Sequence, residues 1–204
     1  VMSLDPDKFS FEDLAHALYV KGKALGFAKV TDKTKWRELV MAEKLGHRAF
    51  PRISSGRHTV NYGADADNLE SGLKAEYKSQ ALEDVNLRNL LQLTRGSQAL
   101  KYSALVATGV YNGAYTLEAV QSYRDKEHYF GLFYEELCVL ILKIHNNEVE
   151  QQLTEGLSRQ QQSTQKKTTN LNSVRVRVSN TDQGTDQYQV VYKNQTWFQS
   201  QQGQ

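Results

Sequence analysis

Three residues near the middle of the chain have types and spacing suited to metal-assisted chemistry. Asp65 follows a Gly-Ala pair just before a predicted turn, and Glu76 and Lys78 stand two apart in the segment that follows it. Carboxylate oxygens are the ligands that a hard cation such as Mg²⁺ takes in proteins. A lysine beside them can orient or help to deprotonate an attacking water. Two carboxylates and a lysine are the functional groups needed for metal-assisted hydrolysis of a phosphodiester bond.

The segment that carries Glu76 and Lys78 is predicted to be a strand. Apolar and charged residues alternate from Leu73 to Lys78, and side chains of a strand point alternately to its two faces. Glu76 and Lys78 are therefore expected on one face. Residues 67–72 have the composition of a turn, so Asp65 should lie on the preceding strand. Asp67 is a second candidate for the role of Asp65, and the spacing leaves both open.

A helix is predicted upstream of these strands, from Thr34 as its cap to about residue 45, with Gly46 ending it. Its apolar stripe is predicted at Trp36, Leu39, Val40 and Ala42. Glu43 follows Leu39 and Val40 by four and three positions, and is therefore expected on the same core-facing stripe. A carboxylate on such a stripe needs a polar role, and a place in the site would supply one.

In this arrangement the chain resembles the PD-(D/E)xK nuclease superfamily, the group that holds most Type II restriction endonucleases. In that family an Asp lies on one strand, Glu-x-Lys lies on its neighbour, and an upstream helix often donates a Glu. The resemblance spans roughly residues 34–145 and favours Asp65 over Asp67 through the Gly-x-Asp entry. It implies that Asp65, Glu76 and the Tyr77 carbonyl hold Mg²⁺, that Lys78 orients the water, and that Glu43 assists.

A nuclease also needs a surface for DNA. Residues 157–181 contain five basic residues and no acidic one, and such a segment would bind phosphates in a salt-dependent way. Asparagine and glutamine there could read bases. A second basic cluster precedes Asp65, and the residues after Lys78 could touch the scissile backbone. The predicted DNA contacts are Arg57, His58, Ser79, Gln80, Lys166, Lys167, Asn170, Asn172, Arg175 and Arg177.

The remaining pattern predicts an α/β protein with a restriction-endonuclease-like mixed central β-sheet flanked by helices. Helices are expected at residues 10–25, 84–108, 116–126 and from 147. Strands are expected at 128–134, 137–144, 174–178 and 189–193, the second of them central because it is almost wholly apolar. Residues 158–172 read as a loop or a segment ordered by a partner. We expect one domain over 1–204, with a catalytic core at 34–145 and a DNA-contacting part at 146–198.

Composition excludes several other classes of function. The net charge is only +2 and the pI is near 8.5, so the net charge does not by itself indicate a nucleic-acid-binding protein. Cys138 is the single cysteine, which excludes a cysteine zinc cluster and fits a cytoplasmic protein. The chain has no Walker-type phosphate loop, no nucleophile elbow and no apolar run long enough to span a membrane.

The sequence therefore predicts a Mg²⁺-dependent endonuclease acting on double-stranded DNA, most specifically a Type II restriction enzyme. Such enzymes usually cut as homodimers, because a palindromic site mirrors two-fold symmetry. Two alternatives stay open. One is a repair or junction-resolving nuclease with the same site. The other is a non-catalytic DNA-binding module, in which Asp65 and Glu76 are charges on a solvated hairpin.

Overall fold

The computed structural model describes residues 5–24, 33–50, 64–82, 100–102, 124–162, 174–178 and 183–201. A short 3₁₀ helix, Pro6–Lys8, precedes the helices α1 (Phe11–Ala24), α2 (Lys33–Leu45), α3 (Asn146–Gln162) and α4 (Gln195–Gln201). The strands are β1 (Arg48–Ala49), β2 (Ala66–Asp67), β3 (Lys74–Ala81), β4 (Leu100–Tyr102), β5 (Lys126–Tyr134), β6 (Leu137–Ile144), β7 (Val174–Val176) and β8 (Tyr188–Lys193).

Six of these strands form one mixed sheet, in the order β1-β2-β3-β5-β6-β8. The first three are antiparallel neighbours, β3 runs parallel to β5, and β6 is antiparallel to both β5 and β8. A second sheet of two antiparallel strands joins β4 to β7. The prediction of an α/β protein with a mixed sheet is confirmed, and β6 is a central strand as its apolar sequence indicated.

Helix α2 covers one face of the large sheet. Its buried residues Val40, Met41 and Ala42 join a cluster that contains Tyr77 of β3 and Phe133 of β5. Gly46 ends the helix with a φ of 66°, a backbone conformation that glycine adopts without steric cost. The helix therefore ends where its sequence predicts, whereas Thr34, predicted to cap it, lies within it.

The opposite face of the sheet packs on α3 and the small sheet. The larger apolar cluster joins Phe130 and Leu142 of the large sheet to Leu153 of α3 and Val176 of β7. Trp197 and Phe198 of α4 belong to the same cluster. Apolar side chains thus pack against both faces of the central strands. The charged residues of β3 and β5 therefore lie in a sheet that is covered on both faces.

Three expectations for the secondary structure are wrong within the described residues. Residues 100–102, predicted to be helical, form β4 because they pair with β7 across a long stretch of chain. Lys126, predicted to end a helix, begins β5. Residues 158–162 continue α3 instead of forming a loop, and α4 was not predicted. Residues 84–99, 103–108 and 116–123 of the predicted helices, and residues 163–172, lie outside the described residues.

None of the helices in the described part of the chain combines the length and the apolar character needed to cross a membrane.

Candidate active site

Glu76 lies on β3 with its carboxylate buried inside the sheet. Only 4% of the residue is exposed. Lys78 Nζ donates a hydrogen bond to Glu76 Oε1 at 3.1 Å, while Glu76 Oε2 is buried and has no hydrogen-bond partner among the residues that the structure describes. Lys126 Nζ of the neighbouring strand β5 is 4.0 Å from Oε2, which is an ion pair but too long for a hydrogen bond. One oxygen of a buried carboxylate is thus left open to a further ligand.

The surroundings of Glu76 act on its pKa in opposite directions. Burial is the largest influence and raises the pKa, and the charges of Lys78 and Lys126 lower it. The negative charge of Glu38 raises it further, and the net shift is upward. A cation bound at Oε2 would offset part of this unfavourable burial of negative charge.

Asp65 stands directly before β2 and is anchored to both neighbouring strands. Its backbone oxygen accepts from the N–H of Phe50 at 2.9 Å, and its own N–H donates to the oxygen of Ala75 at 2.9 Å. Asp65 Oδ2 accepts from the backbone N–H of Tyr77 at 2.7 Å. The carboxylate of Asp65 is therefore held against β3 at the residue that separates Glu76 from Lys78.

Asp67, the alternative to Asp65, is engaged elsewhere. Its carboxylate binds Lys74 Nζ and Arg48 Nη2, each at 2.6 Å. The hydrogen bond from Lys74, then the one from Arg48, lowers the pKa of Asp67 below its ordinary value. Asp67 therefore has the role of a hairpin charge paired across strands, which favours Asp65 for the site.

Helix α2 presents a different glutamate to the sheet than the one predicted. Glu43 is exposed, and its Oε2 accepts from the backbone N–H of Phe11 at 3.2 Å. The prediction that Glu43 lies on the core-facing stripe is wrong, because the helix is rotated so that Met41 and Ala42 face the sheet. Glu38 is buried and close enough for its charge to act on Glu76.

The spacing within α2 contained the signal for Glu38. Residues three, four and seven positions after Glu38 are Met41, Ala42 and Leu45, the spacing of one helix face. Of the predicted stripe, Val40 and Ala42 are buried, but Trp36 and Leu39 are only half-buried, and the buried Met41 was left out of it. Glu38 is the buried α2 carboxylate whose charge acts on Glu76.

On the opposite face of the sheet, aromatic residues fix the position of β3. Tyr77 is buried, and its hydroxyl lies 2.6 Å from His47 Nδ1. Tyr129 of β5 is in register with Tyr77 and packs edge-on against it. Burial lowers the pKa of His47 and the charge of Lys143 lowers it further, while Glu127 opposes them. Since Tyr77 lies between Glu76 and Lys78, this packing fixes the backbone that carries both residues.

Among the described residues, no three His, Cys, Asp or Glu side chains form a group that could hold a metal ion. A magnesium site here would rest on fewer protein carboxylates, with backbone, water and substrate oxygens as further ligands. That is the usual composition of magnesium sites on phosphate substrates.

The predicted DNA contacts fall in different parts of the molecule. Ser79 and Gln80 are half-buried on β3 beyond Lys78, and Arg175 and Arg177 are exposed on and just after β7. The other six, Arg57, His58, Lys166, Lys167, Asn170 and Asn172, lie outside the described residues.

Comparisons with known proteins do not place this chain in a family. No family model matches the sequence, and no curated protein matches it significantly. The functional interpretation therefore depends on the residues and the geometry described above.

Proposed function

We propose that this protein is a magnesium-dependent endonuclease acting on duplex DNA, with a restriction-endonuclease-like fold. The observation that carries the proposal is the buried Glu76, with one oxygen bonded to Lys78 and the other lacking a hydrogen bond. A charged hairpin residue would be solvated on both oxygens. Burial of such a group is costly unless a partner compensates, and a metal ion is a suitable partner.

The order of the elements supports the same proposal. Helix α2 precedes β1, β2 and β3, and Asp65 adjoins the strand that pairs antiparallel with the strand of Glu76 and Lys78. The strands β5 and β6 then complete the sheet. This order agrees with the arrangement that the resemblance to the PD-(D/E)xK superfamily implies, and Glu38, whose charge acts on Glu76, would take the role of the glutamate from the upstream helix.

Asp65 and Glu76, with the Tyr77 carbonyl, would hold the magnesium ion. Bound magnesium would supply charge neutralisation on the phosphate and a lowered pKa of a coordinated water. Glu76 fits this role because its Oε2 is buried without a hydrogen bond. These residues would therefore offer the ion oxygen ligands, one of which has no hydrogen bond among the described residues.

Lys78 would act on the substrate. Its ammonium is fixed by Glu76 Oε1 at 3.1 Å, yet 28% of its side chain is exposed. It can therefore reach a phosphate while its orientation stays constant. We assign Lys78 to holding the attacking water and to stabilising the negative charge that develops on the phosphate. Ser79 and Gln80 follow on the same strand and would contact the DNA backbone, and a homodimer would present two such sites to a palindrome.

The test is incubation of the purified protein with a long unmethylated duplex, with and without Mg²⁺. Variants Asp65→Asn, Glu76→Gln and Lys78→Ala are compared with Asp67→Asn, a matched carboxylate change two residues from Asp65. Discrete fragments that need Mg²⁺, persist in Asp67→Asn and disappear in the other three support the proposal. We expect losses of at least about 100-fold, the scale of removing one stabilising group from such a site.

Other outcomes decide between the alternatives. Cleavage of branched DNA alone would identify a repair or resolving nuclease with this site. Absence of cleavage on every substrate, together with DNA binding that the three substitutions do not alter, would overturn catalysis and identify a DNA-binding module. Glu38→Gln and Glu43→Gln form a further pair, in which only the first should reduce cleavage.

A further inference from the structure

Lys126 is a basic residue beside the site that the resemblance does not include. It begins β5, two residues before His128, which is in register with Glu76. Because side chains alternate along a strand, Lys126 shares the sheet face of Glu76. Only 13% of its side chain is exposed, and its Nζ lies 4.0 Å from Glu76 Oε2.

The two lysines approach different oxygens of one carboxylate. Lys78 is at hydrogen-bonding distance from Oε1, whereas Lys126 faces Oε2, the oxygen without a hydrogen bond. A magnesium ion on Oε2 would therefore lie within a few ångströms of the Lys126 ammonium. That separation is shorter than the screening length of about 10 Å at 0.1 M salt, so the two positive charges repel each other.

A phosphodiester of the substrate changes this balance. Its negative charge, placed beside the metal, attracts both the ion and the ammonium. Lys126 therefore opposes the metal in the absence of substrate and assists the complex once a phosphate is present. The same residue can make metal binding dependent on DNA.

We propose, on the basis of the proposed nuclease site, that Lys126 is a positioning residue that couples magnesium binding to binding of the substrate phosphate. By thermodynamic linkage, DNA must then tighten metal binding by the same factor by which the metal tightens DNA binding. The metal-free enzyme would bind magnesium weakly, and the site would assemble on DNA. Lys126 acts through Glu76 and the phosphate.

The test compares Lys126→Met with Lys74→Met. Lys74 is the register partner of Lys126 on β3, is exposed, and pairs with Asp67, so its substitution makes the same charge change away from Glu76. Calcium binding is measured by titration calorimetry, first without DNA and then with a short duplex that contains the cleaved sequence and is checked for integrity on a gel. Calcium is chosen because it takes the same oxygen ligands.

We expect Lys126→Met to tighten calcium binding without DNA by roughly tenfold, and to reduce the gain from DNA by a similar factor. Lys74→Met should leave both values unchanged. Unchanged or weaker calcium binding in Lys126→Met, with wild-type binding that Glu76→Gln removes, would overturn the role of Lys126 and leave the metal site standing. Calcium binding that Glu76→Gln does not affect, or absence of calcium binding in the wild type even with the duplex present, would overturn the metal site and this role with it.

Discussion

Glu76 and Glu127 are buried glutamates on neighbouring parallel strands, and they face opposite sides of the sheet. Glu127 is in register with Ala75, one position from Glu76. Asn68, Ser71, Tyr129 and Lys143 all donate to the carboxylate of Glu127, whereas Glu76 has one hydrogen bond from Lys78. The difference in donors, at similar burial, separates a structural carboxylate from a candidate catalytic one.

Glu127→Gln should destabilise the protein at neutral pH. Burial acts to raise the pKa of Glu127, but the hydrogen bonds from Ser71, Tyr129, Lys143 and Asn68 outweigh it and lower the pKa from 4.5 to about 2. A lowered folded pKa contributes stability above pH 4.5 that is lost as pH falls towards 2. We expect a loss of about 2 kcal/mol at pH 7 that shrinks below pH 4.5. Urea unfolding from pH 3 to 8 measures it, and a loss that is constant with pH would contradict it.

Glu76→Gln should have the opposite effect on stability. The raised pKa of Glu76 means that the protonated form is favoured in the folded protein. Its contribution is present below pH 4.5 and is lost as pH rises through the folded pKa. Glutamine stays neutral, so the metal-free variant should lose less stability than the wild type as the pH rises through that range. The same unfolding series checks the sign, with Glu127→Gln as its matched comparison.

The carboxylates of the site were only partly predictable from the sequence. The alternation around Glu76 indicated a strand, and β3 confirms it. Asp65 and Asp67 could not be separated until the ion pairs of Asp67 with Arg48 and Lys74 were visible. Glu38 was missed because the burial of one helix face depends on the sheet that covers it.

At the scale of elements, the turn between β5 and β6 ties the first two helices to the sheet. Glu135 and Glu136 both have positive φ, 50° and 62°, a conformation that strains residues other than glycine. Arg37 of α2 donates two hydrogen bonds to Glu136, at 2.7 and 3.0 Å. The Glu135 backbone oxygen lies 2.8 Å from His16 Nδ1 of α1. These contacts offset the strain of the turn.

Glycine substitutions separate the strain from the ion pair. Glu136→Gly relieves the positive φ but leaves the buried Arg37 without its carboxylate, so we expect a loss of roughly 3 kcal/mol. Glu135→Gly relieves a similar strain and removes a pair with Lys23, whose side chain is 65% exposed. An exposed pair of this kind contributes little to stability, so the change should be near zero or stabilising. Chemical unfolding measures the free energy of unfolding of both variants. Equal losses of stability would contradict the role given to the ion pair of Glu136 with Arg37.

At the scale of the whole molecule, the exposed arginines of the small sheet test the predicted DNA surface. Arg175 and Arg177 have exposed side chains, and their backbone N–H groups are bound by Gln152 and Gln187. Their side chains can therefore change without loss of these bonds.

Replacing both arginines with glutamine should weaken duplex binding at low salt. If each contacts one phosphate, the slope of log affinity against log salt should fall in magnitude by about 1.8. Binding is measured by fluorescence anisotropy over a range of salt, in the Glu76→Gln background so that DNA stays intact. The exposed pair Lys8 and Lys21 is the control, and an unchanged slope in the arginine variant would exclude this face from the DNA contact.

Local sequence patterns account for several helices and strands of this protein. Helix α2 and strand β6 occupy their predicted residues because helical and strand periodicity are properties of neighbouring residues. The same local rules placed Glu76 and Lys78 on one strand face. They failed at residues 100–102, where pairing with β7 prevails over helical propensity.

Which of these residues come into contact depends on the tertiary packing. Lys126 lies fifty positions after Glu76, and the parallel register of β3 with β5 brings them together. Such a register depends on how α2 and α3 pack on the two faces of the sheet, which no local pattern encodes. Burial of Glu76, the rotation that turns Glu38 inward, and the second lysine all follow from that packing.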